Sequence, residues 1–183
     1  IAAGRPVGIV AVIGLFAIAR ARMAGAPRAS LRAAPVLLGV LGFAAHCTFL
    51  WCRFGNALAF AAAQQTWGVS TGVDAWLKVH FFQILFGVPW GFKSSMFVLH
   101  AGCTLVGILL VARVHARLGS GYAVYCALVI AMPAVLSPDF FGMGRYLLPA
   151  FPCAAVAAEM LGRTPRWFQI GAIALSACAM LFL

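Results

Sequence analysis

Twenty consecutive residues, 33–52, carry no formal charge, and the stretches 95–112, 120–137 and 167–183 are equally bare. A helix of about 20 apolar residues matches the hydrocarbon thickness of a bilayer. Folding such runs in water would require enough charged surface to cover them. This chain lacks it: 64% of its 183 residues are hydrophobic and 9% are charged, where a soluble domain carries about a quarter charged. A soluble globular fold is excluded, and an all-α, polytopic transmembrane bundle is expected as a single domain over residues 1–183. Counting the shorter runs 6–19 and 146–162 gives about six spans.

The links between these runs sort by charge. Arg20, Arg22, Arg28 and Arg32 follow the first run, Arg113 and Arg117 the third, and Arg163 and Arg166 the fifth. Together they account for eight of the thirteen basic residues. If every run crosses, all eight lie on one side, which the positive-inside rule makes cytoplasmic. The net charge of +10 is therefore a topology signal. Basic residues set singly or in pairs between apolar runs are not a nucleic-acid footprint, and no nucleic-acid partner is expected.

The opposite face receives the start of the chain, the loop 138–145 and the long segment 53–94. In that segment Phe54, Leu58, Ala61, Ala62 and Gln65 fall on one helical arc. Farther on, Trp76, Phe81, Phe82, Leu85 and Phe86 are set against Lys78, His80 and Gln83. Aromatic rings mixed with such polar groups suit helices lying in the interface plane. A short tilted crossing over 75–90 is the alternative. The phrase from Phe86 to Phe92, with Gly87, Pro89 and Gly91, ends the helix. The six cysteines, at 47, 52, 103, 126, 153 and 178, form no CxxC pair and read as small buried hydrophobes. The chain opens at Ile1 and ends inside an apolar run, so it is expected to be part of a longer protein.

Polar groups inside spans are costly and therefore informative. His46 and His100 both fall about 8–9 Å below the outer face. They are either hydrogen-bonded core histidines or the lining of a shared outward cavity. Arg5 either snorkels to the interface or binds an anion. Glu159 is explained by an i,i+4 pair with Arg163. The outer loop Ser137–Tyr146 gathers Asp139, Gly142, Gly144 and Arg145. Its arginine is placed to bind a phosphate bidentately, unless it simply pairs with Asp139. Asp139 and Asp74, the two outward acids, are the candidate bases or metal ligands.

Three phrases resemble a known family. Phe54–Trp67 (FGNALAFAAAQQTW) is similar to the G-(D/N)-x-x-A-F-x-x-A-Q-x-x-W signature of bacterial PIG-V-like membrane mannosyltransferases. Gly4–Gly8 (GRPVG) resembles their R-P-x-G phrase, and Gly144–Pro152 (GRYLLPAFP) their R-Y-x-L-x-x-F-P phrase. The order agrees and the likeness covers essentially the whole chain. It implies a GT-C glycosyltransferase in the bacterial plasma membrane. Such an enzyme moves a sugar from a polyprenyl-phosphate donor to a lipid or glycan acceptor on the extracytoplasmic side, among membrane lipids.

On that likeness Arg5, Arg145, Lys93 and Arg53 are candidate phosphate ligands. His46, His100, Asn56, Gln64, Trp67 and Tyr146 are candidate cavity-lining residues. Trp67, Trp76 and Trp90 either cover the isoprenoid or anchor the interface. The superfamily's acid in its first outer loop has no counterpart here, which points to the C-terminal part of the enzyme, inactive alone. Asn56 replaces the Asp of many relatives and cannot act as a base. A divalent cation is a candidate cofactor with no ligand set assigned. The rival readings are a non-catalytic membrane subunit, a small transporter, or an inactive relic of the enzyme.

Overall fold

Apolar runs without charge become helices, and glycine and proline phrases end them. A computed structural model describes residues 7–23, 25–26, 28–66, 72–87, 89 and 91–182. Among these, all regular structure is helical. The order is α1 (Val7–Arg22), α2 (Ala29–Ala33), a 3₁₀ turn (Ala34–Leu38), α3 (Gly39–Phe54), α4 (Ala59–Thr66), α5 (Val73–Trp76) and α6 (Val79–Gly87). Then follow α7 (Phe92–Leu118), α8 (Ser120–Leu136), α9 (Met143–Leu147), α10 (Phe151–Gly162) and α11 (Arg166–Phe182).

Two stretches are long and apolar enough to cross a membrane: Ser30–Phe54, with 25 residues, and Phe92–Leu118, with 27. Only 11% and 17% of their most apolar windows are buried. The core helix of a water-soluble protein would be mostly covered, whereas Leu105, Val106, Ile108 and Leu109 of α7 lie exposed in a contiguous apolar face. This is the surface of a membrane-associated chain. The apolar helices Ser120–Leu136 and Phe151–Gly162 are shorter; the second, with 12 residues, rises about 18 Å.

Several expected boundaries move, each for a local reason. Helix α7 runs on through Arg113 and Arg117, so the third link shrinks to Gly119, which turns the chain at φ 93°, a left-handed value open to glycine. Cations in the last turns of a helix sit favourably against its dipole. The arc Phe54–Gln65 is not one helix, because Gly55 stops α3 at φ 69°. Within 75–87 the longest helix, α6, has nine residues and rises about 14 Å, about half of what a crossing needs. The expected span 146–162 is broken. Pro149 has no N–H to give, α9 stops at Leu147, and α10 restarts at Phe151 with Pro152 in its first turn.

The core lies between α1, α7, α8 and α10, built around Ile18, Val114, Cys126, Val129, Ile130 and Val156. Helices α1 and α8 pack most extensively. They approach antiparallel at Gly14, facing the Tyr125 backbone, and at Gly121, facing the Ile18 backbone. Small residues at such a crossing let two backbones meet. Near this crossing the Arg22 guanidinium hydrogen-bonds the Tyr122 hydroxyl and lies over its ring. At the C-terminal ends of α7 and α10, Glu159 Oε1 lies 2.6 Å from Arg163 Nη2, the expected pair, and 3.4 Å from Arg117 Nη1. Arginines of all three basic links thus gather at one end of the bundle. Of the cysteines, all free, only Cys126 and Cys153 are buried; Cys52 and Cys178 are exposed and Cys47 and Cys103 lie between, so the expectation of six buried thiols fails for the other four.

Candidate functional site

At the opposite end, the loop after α8 is shaped by its own polar side chains. Ser137 Oγ accepts the Phe140 N–H at 2.8 Å, and Asp139 Oδ1 accepts the Phe141 N–H at 2.9 Å. These local bonds offer the backbone an alternative to continuing the helix. Phe140 sits at φ 62°, an unusual conformation for an aromatic residue. Phe81 packs edge-on to it at 5.4 Å, and the Lys78 ammonium lies 5.0 Å from its ring centroid. The same ammonium hydrogen-bonds the Ala134 and Ser137 carbonyls, capping the last turn of α8 from another element. Desolvation by burial lowers the Lys78 pKa from its ordinary value, and the Asp139 charge opposes that shift.

His80, at the head of α6, faces the second carboxylate oxygen of Asp139: Nε2 and Oδ2 are 3.7 Å apart. The carboxylate is mostly covered, 16% exposed, while the imidazole is 55% exposed. Beyond the pair runs an aromatic rim. His80 meets Phe97 edge-on at 6.5 Å, Phe97 meets Phe141 at 5.9 Å, and Phe141 meets His100 at 5.6 Å. His100 is buried, and its Nδ1 has no hydrogen-bond partner among the described residues. Gly144 passes beside this nitrogen, where a Cβ would come within 3.7 Å. The Arg145 guanidinium folds over Gly142, whose φ is 77° and whose Cβ, if present, would lie 2.9 Å from Nη2. Arg145 is exposed and, among the described residues, has no carboxylate partner. The alternative of an Asp139–Arg145 salt bridge is not realised, because Asp139 turns to His80 instead.

The remaining expected residues scatter. Asp74 is exposed in the first turn of α5. Lys93 is exposed at the start of α7, and Arg53 is exposed in the last turn of α3. His46 lies against Phe60, 6.2 Å between centroids. Its helix packs on α1 and the 3₁₀ turn. Asn56 Oδ1 accepts the Leu58 N–H at 2.9 Å, a turn-forming bond at the entry to α4 that occupies the side chain locally. Tyr146 is half-buried in α9. Arg5, Trp67 and Trp90 lie outside the described residues, as does the side chain of Gln64. No group of three His, Cys, Asp or Glu side chains forms a metal-binding cluster among the described residues.

The arrangement gathers an imidazole–carboxylate pair, a buried histidine, a rim of aromatic rings and an exposed guanidinium with no carboxylate partner among the described residues at one end of the bundle. Such a set can take a proton and hold an anion. Lys78 and His80 belong to it through partners more than fifty residues away, and only their place in an aromatic segment marked them in the sequence. No family model, curated protein or solved structure matches the chain.

Proposed function

We propose that this chain belongs to an integral membrane glycosyltransferase of the bacterial plasma membrane, mannosyl by its resemblance, that uses a polyprenyl-phosphate sugar donor on the extracytoplasmic face. In this reading α1, 30–54, α7, α8, α9–α10 and α11 make six crossings, and 53–94 lies along the outer interface. The arginine-rich end faces the cytoplasm. The strongest support is the convergence of Arg145, from the R-Y-x-L phrase, with Asp139, His80 and His100 at the opposite end.

Arg145 grips the donor phosphate, on which charge develops as the sugar–oxygen bond breaks. His80, oriented by Asp139, takes the acceptor hydroxyl proton as the new glycosidic bond forms. Polyprenyl phosphate departs into the membrane along the exposed aromatic faces. Asp139 is favoured over Asp74 because it faces an imidazole and Asp74 does not.

In membranes holding the full-length protein and a labelled polyprenyl-phosphate mannose, Asp139→Asn should slow transfer by about 10²-fold or more. Asp74→Asn should leave the rate unchanged. Equal rates for wild type and Asp139→Asn would remove Asp139 from the chemistry, and no donor consumption by the wild type would overturn the transferase reading.

A specific observation favours a second reading. The Pro149 carbonyl, at the break between α9 and α10, accepts a hydrogen bond from the Tyr125 hydroxyl at 2.9 Å. Tyr125 is five residues from the start of α8 at Ser120, about 8 Å along that helix. The proline break therefore lies within the bundle and not at its outer edge. Broken helices at depth mark transporters. Uptake of a solute into proteoliposomes without covalent transfer would favour a transporter.

A further inference from the structure

The arginine-rich end of the bundle holds a cavity of about 600 Å³ between α1, Gly25, Ser30 and the start of α8. One part of its wall is apolar: Ile13, Phe16 and Val124. The other part is polar: Arg20, Ser30 and Ser120. A smaller cavity of about 190 Å³, lined in part by Arg22 and Tyr122, shares Ala21, Ser120 and Gly121 with it.

Composition limits what within the chain can pair with Arg20, whose side chain is exposed. The chain has three acids. Asp139 is engaged by His80 beyond the far end of α8, and Glu159 is already shared by Arg117 and Arg163. Asp74 belongs to the segment packed beside Lys78, which caps that same far end. Among the described residues no carboxylate meets Arg20, and its exposed side chain is open to an anion from outside. The volume corresponds to about twenty waters. A free phosphate ion would fill little of it and would leave the apolar wall wet. An anion carrying an acyl chain satisfies both parts of the wall.

We propose that this cavity binds an anionic phospholipid of the leaflet at the arginine-rich end. The phosphate rests on Arg20 with hydroxyl contacts from Ser30 and Ser120, and an acyl chain lies along Phe16 and Val124. Basic pockets between membrane helices on the cytoplasmic side are suited to such head groups. The inference does not depend on the transferase reading.

The test is native mass spectrometry of the purified full chain released from nanodiscs of phosphatidylglycerol and phosphatidylcholine mixed equally. The wild type should retain phosphatidylglycerol in preference. Arg20→Gln should cut that retention about tenfold, as expected for losing one charge-assisted hydrogen bond. Val124→Trp, which fills the apolar wall and leaves every charge in place, should cut it as well. Arg113→Gln, exposed on α7 at the same end, should retain lipid as the wild type does. Equal retention of the two lipids, an equal loss in Arg113→Gln, full retention in both cavity variants, or displacement of phosphatidylglycerol by millimolar inorganic phosphate would each overturn the proposal. Should Arg20→Gln not yield folded protein, Val124→Trp and the phosphate competition decide it.

Discussion

Replacing Gly121 with leucine should separate α1 from α8. The first added carbon would lie 2.8 Å from the Ile18 Cα and 3.1 Å from the Ala17 carbonyl oxygen. Both obstacles are backbone, so no side-chain rotation relieves them. Gly14 meets the same limit from the other helix, 2.9 Å from the Tyr125 Cα. Overpacking a well-filled site typically costs about 1–3 kcal/mol; a leucine against backbone should fall at the top of that range or beyond. The loss should be readable as a lower unfolding midpoint in detergent and as lost monodispersity. Gly102→Leu on α7 is the matched control, because nothing lies within 4 Å of its added carbon, and it should melt with the wild type. Equal midpoints for all three proteins would mean that α1 and α8 do not meet as described.

The second large effect is expected at Arg145. Its side chain is exposed and unpaired among the described residues, so changing it should leave folding intact. Arg145→Lys keeps the charge but loses the planar fork that grips a phosphate at two points. Transfer from a polyprenyl-phosphate sugar should fall about 10²-fold, the scale for removing one donor aimed at developing charge. Arg53→Ala, exposed in the last turn of α3, should change the rate little. A wild-type rate in Arg145→Lys at normal expression would leave Arg145 a structural residue.

The helical class and the charged ends were legible because both are local. An uncharged run has few options besides a helix, and arginines on either side of it mark its ends without reference to any other element. The Arg22–Tyr122 contact and the Arg117–Glu159–Arg163 cluster then join three links that the charge pattern had placed on one side. The break at Pro149 was less legible. A run that is apolar throughout hides whether its prolines sit at an end or inside, and only the Tyr125–Pro149 bond gives the depth.

The site was half legible. Asp139 and Arg145 stand out as charges in a glycine-bearing loop, but their pairing is not a matter of sequence distance. Asp139 bypasses Arg145, six residues on, for His80, fifty-nine residues back, because α5 and Lys78 pack on the C-terminal end of α8. Lys78 went unremarked as a site residue for the same reason. His46 and His100 share a depth by residue counting, yet depth says nothing of which helices pack. Helix α3 packs on α1 and the 3₁₀ turn, while His100 sits against Phe141.

We propose that the arginine-rich end faces the cytoplasm and the His80–Asp139–Arg145 end faces outward. Single cysteines at Gly87 and Gly162, placed in a protein with its six native cysteines replaced, test it directly. Both glycines are exposed, with nothing within 4 Å of an added Cβ, so both substitutions should be tolerated. In intact cells a membrane-impermeant thiol reagent should label Gly87→Cys and spare Gly162→Cys until the membrane is opened. Labelling of Gly162→Cys alone in intact cells would mean that the arginine-rich end faces outward.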